Sequence, residues 1–132
     1  MSLFVVFDTN VIVSAMLSNN PNASTVKVVE AISQEKVIPL YNDEILCEYR
    51  KVLHRAKFNL HPSIVTSMIA SIVRLGEKVD RTPTDETFID LSDMVFYEVA
   101  LSKEGSFVVT GNAKHFPKNP IVVTPAELLA ML

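Results

Sequence analysis

Leu3-Phe-Val-Val-Phe7, followed at once by Asp8-Thr9-Asn10, is the stretch that decides the architecture. A half-exposed strand would alternate polar and apolar side chains, so an unbroken apolar run rich in β-formers predicts a strand buried on both faces, as in a parallel sheet. A helix should follow directly. Asn10 is a good N-cap, and Val11 to Leu17 stays apolar until Ser18-Asn-Asn-Pro21 breaks it. The periodicity then predicts a helix over Ala23 to Gln34, with Val28, Val29 and Ile32 inward, and a strand at Val37-Ile-Pro-Leu-Tyr41, where Pro39 suggests a sheet edge.

Downstream, Asn42 or Asp43 can cap a helix that places Ile45, Leu46, Tyr49, Val52 and Leu53 on one face. The next helix starts at Pro62, repeats Ile64, Val65, Met68, Ile69, Ile72 and Val73, and stops at Gly76. Asp80 to Glu86 reads as a loop, and Asp90 caps a helix from Leu91 to about Lys103, ending near Gly105. Ser106 to Thr110 and Ile121 to Thr124 are two more strands, and Pro125 to Leu132 a terminal helix. Strands alternating with helices predict a right-handed parallel α/β sheet with helices on both faces.

At 132 residues, 48% hydrophobic and 20% charged, residues 1–132 suit one globular domain. No stretch approaches the roughly 18 apolar residues of a membrane span, and Asp8 cuts short the apolar start, which argues against a secretory signal. A cytoplasmic protein with no membrane partner is the expectation. The single cysteine, Cys47, cannot form an internal disulfide and is expected in the core. The net charge of −3 conceals two acid-free basic segments, one holding Arg50, Lys51, Arg55, Lys57 and Arg74, the other Lys114 and Lys118. These are solvated helix faces or a surface that tracks RNA phosphates.

In parallel sheets ligands gather at the carboxyl ends of strands, and here the residues in those places are acidic or polar. Asp8 follows the first strand, Glu44 opens the helix after the second, Asp93 lies in a first helical turn, and Thr110-Gly-Asn112 follows a later strand. Taken singly, each acid has a structural explanation: it can offset a helix macrodipole, and Asp90 with Asp93 resembles a capping box. Taken together, hard oxygen donors from separated segments suit Mg²⁺ or Mn²⁺. Asp8, Glu44 and Asp93 are the expected ligands, and Asn112 a neutral ligand or a positioner of water. Thr9, Asn10 and Thr110 would fix the loops or serve only as turn and cap residues. Glu48, one turn beyond Glu44, either extends the acidic site or pairs with Lys51. Glu98, roughly 140° around the helix from Asp93, is expected in a salt bridge. His54, His61 and His115 are scattered, although His115 beside Lys114 could approach phosphate.

Phe7-Asp8-Thr9-Asn10, Asn42-Asp-Glu44-Ile-Leu-Cys-Glu48-Tyr49, Asp90-Leu-Ser-Asp93 followed by Ala100, and Val109-Thr110-Gly111-Asn112 resemble, in order, the motifs of the PIN-domain family. The likeness runs from about Leu3 to Leu132 and is greatest to the toxin branch of toxin-antitoxin systems related to the VapC nucleases, whose Thr-Gly-Asn-x-Lys-His-Phe pattern Thr110 to Phe116 matches. The resemblance implies a three-layer α/β/α fold with a mostly parallel sheet, a Mg²⁺- or Mn²⁺-dependent endoribonuclease, homodimerisation, and inhibition by an antitoxin protein. Two departures stand out. Asn112 replaces the fourth acid of many PIN domains, and Asp90-Leu-Ser-Asp93 replaces the branch's common Asp-Pro-Asp-Asp. A non-catalytic PIN-like module binding RNA or protein is the alternative; a phosphoreceiver using Asp8 lacks a second motif aspartate and a convincing partner lysine.

Overall fold

The computed structural model describes residues 2–132 and contains the expected alternation of strands and helices. In chain order it holds β1 (Leu3–Phe7), α1 (Thr9–Leu17), α2 (Ser24–Ser33), β2 (Val37–Tyr41), α3 (Asp43–Leu53), α4 (Pro62–Leu75), β3 (Glu77–Lys78), α5 (Met94–Leu101), β4 (Phe107–Val109), β5 (Val122–Val123) and α6 (Pro125–Leu129). The strands form one sheet in the order β3-β2-β1-β4-β5, and every pairing is parallel. The fold is a three-layer α/β/α sandwich. β1 is central, which is why Val5, Val6 and Phe7 are buried without alternation. α5 packs on β1, β2 and β4, while α2 packs against α1, α4 and α6.

Several expectations are corrected by the packing. β2 is an interior strand, so Pro39 is not at an edge. The ladder to β3 begins only at Leu40, opposite Glu77, and the Pro39 carbonyl instead faces Gly76. A Cβ on Gly76 would stand 2.4 Å from the carbonyl oxygens of both Pro39 and Ile72, so only glycine permits this close end to α4. The two-residue β3 was not foreseen, because Glu77-Lys78 carries no apolar pattern. The N-cap of α1 is Asp8, not Asn10, and helix begins at Thr9.

Asn42 caps α3 through Oδ1, which accepts from the Ile45 N–H at 2.8 Å, and all five residues of the expected face are buried. Cys47 is exposed, not in the core. It is rotated roughly 100° past Leu46, off the buried stripe. On α4 only Val65, Ile69 and Ile72 are fully buried; Ile64 and Val73, at the margins of the stripe, are exposed. The segment after Asp90 opens with a 3₁₀ turn, Leu91–Asp93, before α5, and α6 is shorter than its apolar pattern. Among the described residues no helix is long and apolar enough to cross a membrane.

Candidate active site at the carboxyl edge of the sheet

From β1 the chain moves outward to β2 and β3, then returns across β1 to build β4 and β5 on the other side. The order therefore reverses between β1 and β4, the place in a parallel sheet where ligands gather beyond the strand ends. Phe7 pairs with Val109, so the next residues, Asp8 and Thr110, meet there. The Thr110 hydroxyl donates to Asp8 Oδ2 at 2.8 Å, and the Asn10 amide donates to the same oxygen at 3.3 Å. Asn10 Oδ1 in turn accepts from the Gly111 N–H at 3.2 Å, tying the two loops together.

Asp8 is only 5% exposed. Burial pushes its carboxyl pKa up, against the pull of the Thr110 hydroxyl and the Thr9 and Asn10 backbone N–H groups. Beside it, Thr9 Oγ1 is buried without a hydrogen-bond partner among the described residues. Beneath it, the Tyr49 hydroxyl donates to the Phe7 carbonyl at 2.5 Å. Burial and the Asp8 charge hold that phenol well above its ordinary pKa.

Asp93 stands at the start of α5 and is pushed up to about 7, first by burial and then by the charges of Asp8, Asp90 and Glu48. Asp90 stays low because the Ser92 N–H and hydroxyl both donate to its Oδ1, at 3.0 and 2.8 Å, with His115 contributing a weaker favourable charge. It caps the 3₁₀ turn and forms no reciprocal box with Asp93. Asp8, Glu48, Asp90 and Asp93 thus share one electrostatic field although they come from three segments: the end of β1, α3 and the turn before α5.

Glu44 is placed differently. It is exposed and takes a 2.7 Å ion pair from Arg81 Nη1. Arg81 also donates from Nε and Nη2 to Glu98, at 2.7 and 2.6 Å. Glu98 forms the expected salt bridge, but it is buried, and it accepts from the Thr84 N–H as well. Its burial and the bridging Arg81 were not legible in the sequence, since Arg81 lies in a loop without periodicity. Glu44, Glu48, Arg81, Leu91, Ser92 and Val95 line a cavity of about 180 Å³. A larger cavity, about 480 Å³ between α1, α2 and α4, contains none of the expected site residues.

Asn112 is exposed; its N–H donates to Thr110 Oγ1 at 3.0 Å, and its side chain forms no hydrogen bond among the described residues. Arg50, Lys51, Arg55, Lys57, Lys114 and Lys118 are all exposed, and none forms an ion pair there. Among the described residues no three or more His, Cys, Asp or Glu side chains are gathered into a metal-ligand group. The donors nevertheless suit a hard divalent cation. They are oxygens, their like charges add to burial in raising the Asp93 pKa, and an opposite charge among them would relieve that repulsion.

A profile of the PIN domain matches residues 4–114. Among solved structures, the chain is similar to the crystal structure of VapBC2 from Rickettsia felis bound to a DNA fragment from their promoter, with a TM-score of 0.59 and 17% sequence identity. The match covers 92% of this chain and 97% of that one, and at this identity the likeness is one of fold. No curated protein matches the sequence at a significant level.

Proposed function

Because the chain belongs to the PIN-domain family, we propose that it is a Mg²⁺- or Mn²⁺-dependent endoribonuclease, the toxin of a type II toxin-antitoxin pair acting in the cytoplasm. The observation that carries this reading is the buried Asp8, fixed by Thr110 at the switch point, in the same field as an Asp93 whose pKa burial, and then its acidic neighbours, lift to about 7. In the proposed site Asp8 and Asp93 are ligands. Glu48 takes the place expected of Glu44, since its charge reaches Asp93 while Arg81 occupies Glu44.

A bound divalent cation supplies the Lewis acidity and positive charge that an anionic phosphodiester and its poor alkoxide leaving group require. Asp8 presents an anionic oxygen whose direction Thr110 and Asn10 set in advance. Asp93 holds a proton near neutral pH and releases it as positive charge arrives. Asp90 stays anionic through Ser92 and deepens the local potential. Asn112 adds a neutral oxygen at the rim. Arg50, Lys51, Arg55, Lys57, Lys114 and Lys118 supply unpaired positive charge along which RNA phosphates can lie. An antitoxin protein and a second copy of the chain are the proposed partners; the resemblance to the toxin branch supports both, and the VapBC2 fold neighbour supports the first.

The test is cleavage of single-stranded RNA in Mg²⁺ or Mn²⁺ by wild type and by Asp8→Asn. Cleavage lost in a folded variant is expected, and unchanged cleavage would remove Asp8 from the mechanism. The Arg81–Glu44 ion pair and the neutral Asn112 favour a second reading, a non-catalytic module binding RNA or protein. Stoichiometric Mn²⁺ binding without cleavage would establish it.

A further inference from the structure

Ile89 and Leu91 are 75% and 74% exposed, more than any other large apolar side chain described, and they flank Asp90. In that position Leu91 contributes little to the core. It does form, with Val95, the apolar part of the cavity of about 180 Å³ whose remaining walls are Glu44, Glu48, Arg81 and Ser92. Glu98, which is not among the cavity's lining residues, accepts from two N–H groups of the Arg81 guanidinium and so holds the orientation of that group. Arg81 Nη1 and Glu44 Oε2 then stand 2.7 Å apart, a donor beside an acceptor. Nη1 has a second N–H, and Glu44 a second oxygen.

The geometry points to a nucleobase subsite that takes guanine, its ring face on Leu91 and its pairing edge on the Arg81–Glu44 pair. The inference rests on the ribonuclease reading for its choice of ligand class. A base has flat apolar faces and a polar rim, which is the division of chemistry this cavity offers. Guanine alone carries two adjacent donors, N1–H and N2–H, on its pairing edge, next to the acceptor O6. A carboxylate accepts both donors at once, and the neighbouring guanidinium donates to O6. Ile89, on the other side of Asp90, offers a second apolar surface for an adjoining base.

Methyl NMR spectra of the metal-free protein, titrated with the 5′-monophosphates of guanosine, inosine, adenosine, cytidine and uridine, test this without any bond to cleave. The guanosine nucleotide should move the Leu91 methyl resonances upfield through the ring current of the stacked base, and bind about tenfold tighter than the other four. Inosine, which lacks the 2-amino group, should lose most of that preference. Glu44→Gln, a substitution of an exposed side chain, should abolish it with the remaining spectrum unchanged. Equal affinity for all five nucleotides, or shifts that bypass Leu91, would overturn the subsite. Mapping RNA cut sites in Mn²⁺ separates the two readings: cleavage without a guanine preference removes the subsite and leaves the ribonuclease, whereas guanine binding without cleavage of any RNA does the reverse.

Discussion

The Thr110 hydroxyl donates to Asp8 across the ends of β4 and β1 and also accepts the Asn112 N–H, so one oxygen couples both strand ends to the loop at the site's rim. Thr110→Val keeps the shape and deletes both bonds. The buried Asp8 carboxylate then loses a donor that lowers its pKa, and the penalty exists only while Asp8 is ionised. The expected cost is about 1–3 kcal/mol at pH 7.5 and less at pH 4, with weaker Mn²⁺ binding. Denaturant melts at both pH values and a calorimetric titration measure it; an equal cost at both pH values would show that the bond acts only through backbone geometry.

Asp93 gives the metal-free protein a pH dependence of defined sign. Its folded pKa of about 7 exceeds the ordinary aspartate value of 3.8, so the folded state binds the proton more tightly. The stabilisation is complete below about pH 4 and is lost as pH rises through 7. Asp93→Asn should therefore melt higher than wild type at pH 8 and lose that advantage by pH 4. Because Asp93 is partly exposed, screening reduces the difference to about 1–2 kcal/mol. Mn²⁺ should stabilise wild type, not the variant, at pH 8. Melting temperatures that move in parallel from pH 4 to 8 would refute the shift.

Glu98 holds the loop after β3 by three contacts: two to Arg81 and one from the Thr84 N–H. In Glu98→Gln the half-buried guanidinium keeps only one carboxylate partner, Glu44, and a single amide oxygen cannot serve both Arg81 and the Thr84 N–H; the loss should be about 2–4 kcal/mol, below the full value for a buried pair because Arg81 is 30% exposed. Hydrogen exchange at Thr82 and Thr84 should accelerate before that of the α5 interior. Protection unchanged at those amides would mean the loop is held by other contacts.

Asn112→Asp adds a further carboxylate at the rim of a site that already gathers Asp8, Glu48, Asp90 and Asp93. Hard-cation affinity rises with ligand charge, so Mn²⁺ binding should tighten. Without metal the new carboxylate repels Asp8 and Asp93, and stability at neutral pH should fall by about 1 kcal/mol. Calorimetry paired with metal-free melting reads both effects. Unaltered Mn²⁺ affinity would place residue 112 outside the coordination sphere.

The sequence by itself determined the elements: the unalternating Leu3–Phe7, the stripe from Ile45 to Leu53 and the start of α4 at Pro62 all stand as their periodicity requires. Local patterns suffice there because each apolar stripe needs only to be covered, whatever covers it. They also put Asp8, Asp93 and Thr110 at strand ends or helix starts, where a parallel sheet collects ligands. The tertiary structure decided which of those groups meet. Strand order, which no local period encodes, brings Asp8 to Thr110 across 102 residues of chain. The same packing gave Glu44 to Arg81 and left the charge of Glu48 facing Asp93, because a side chain's partner depends on the rotation of its helix against elements distant in sequence.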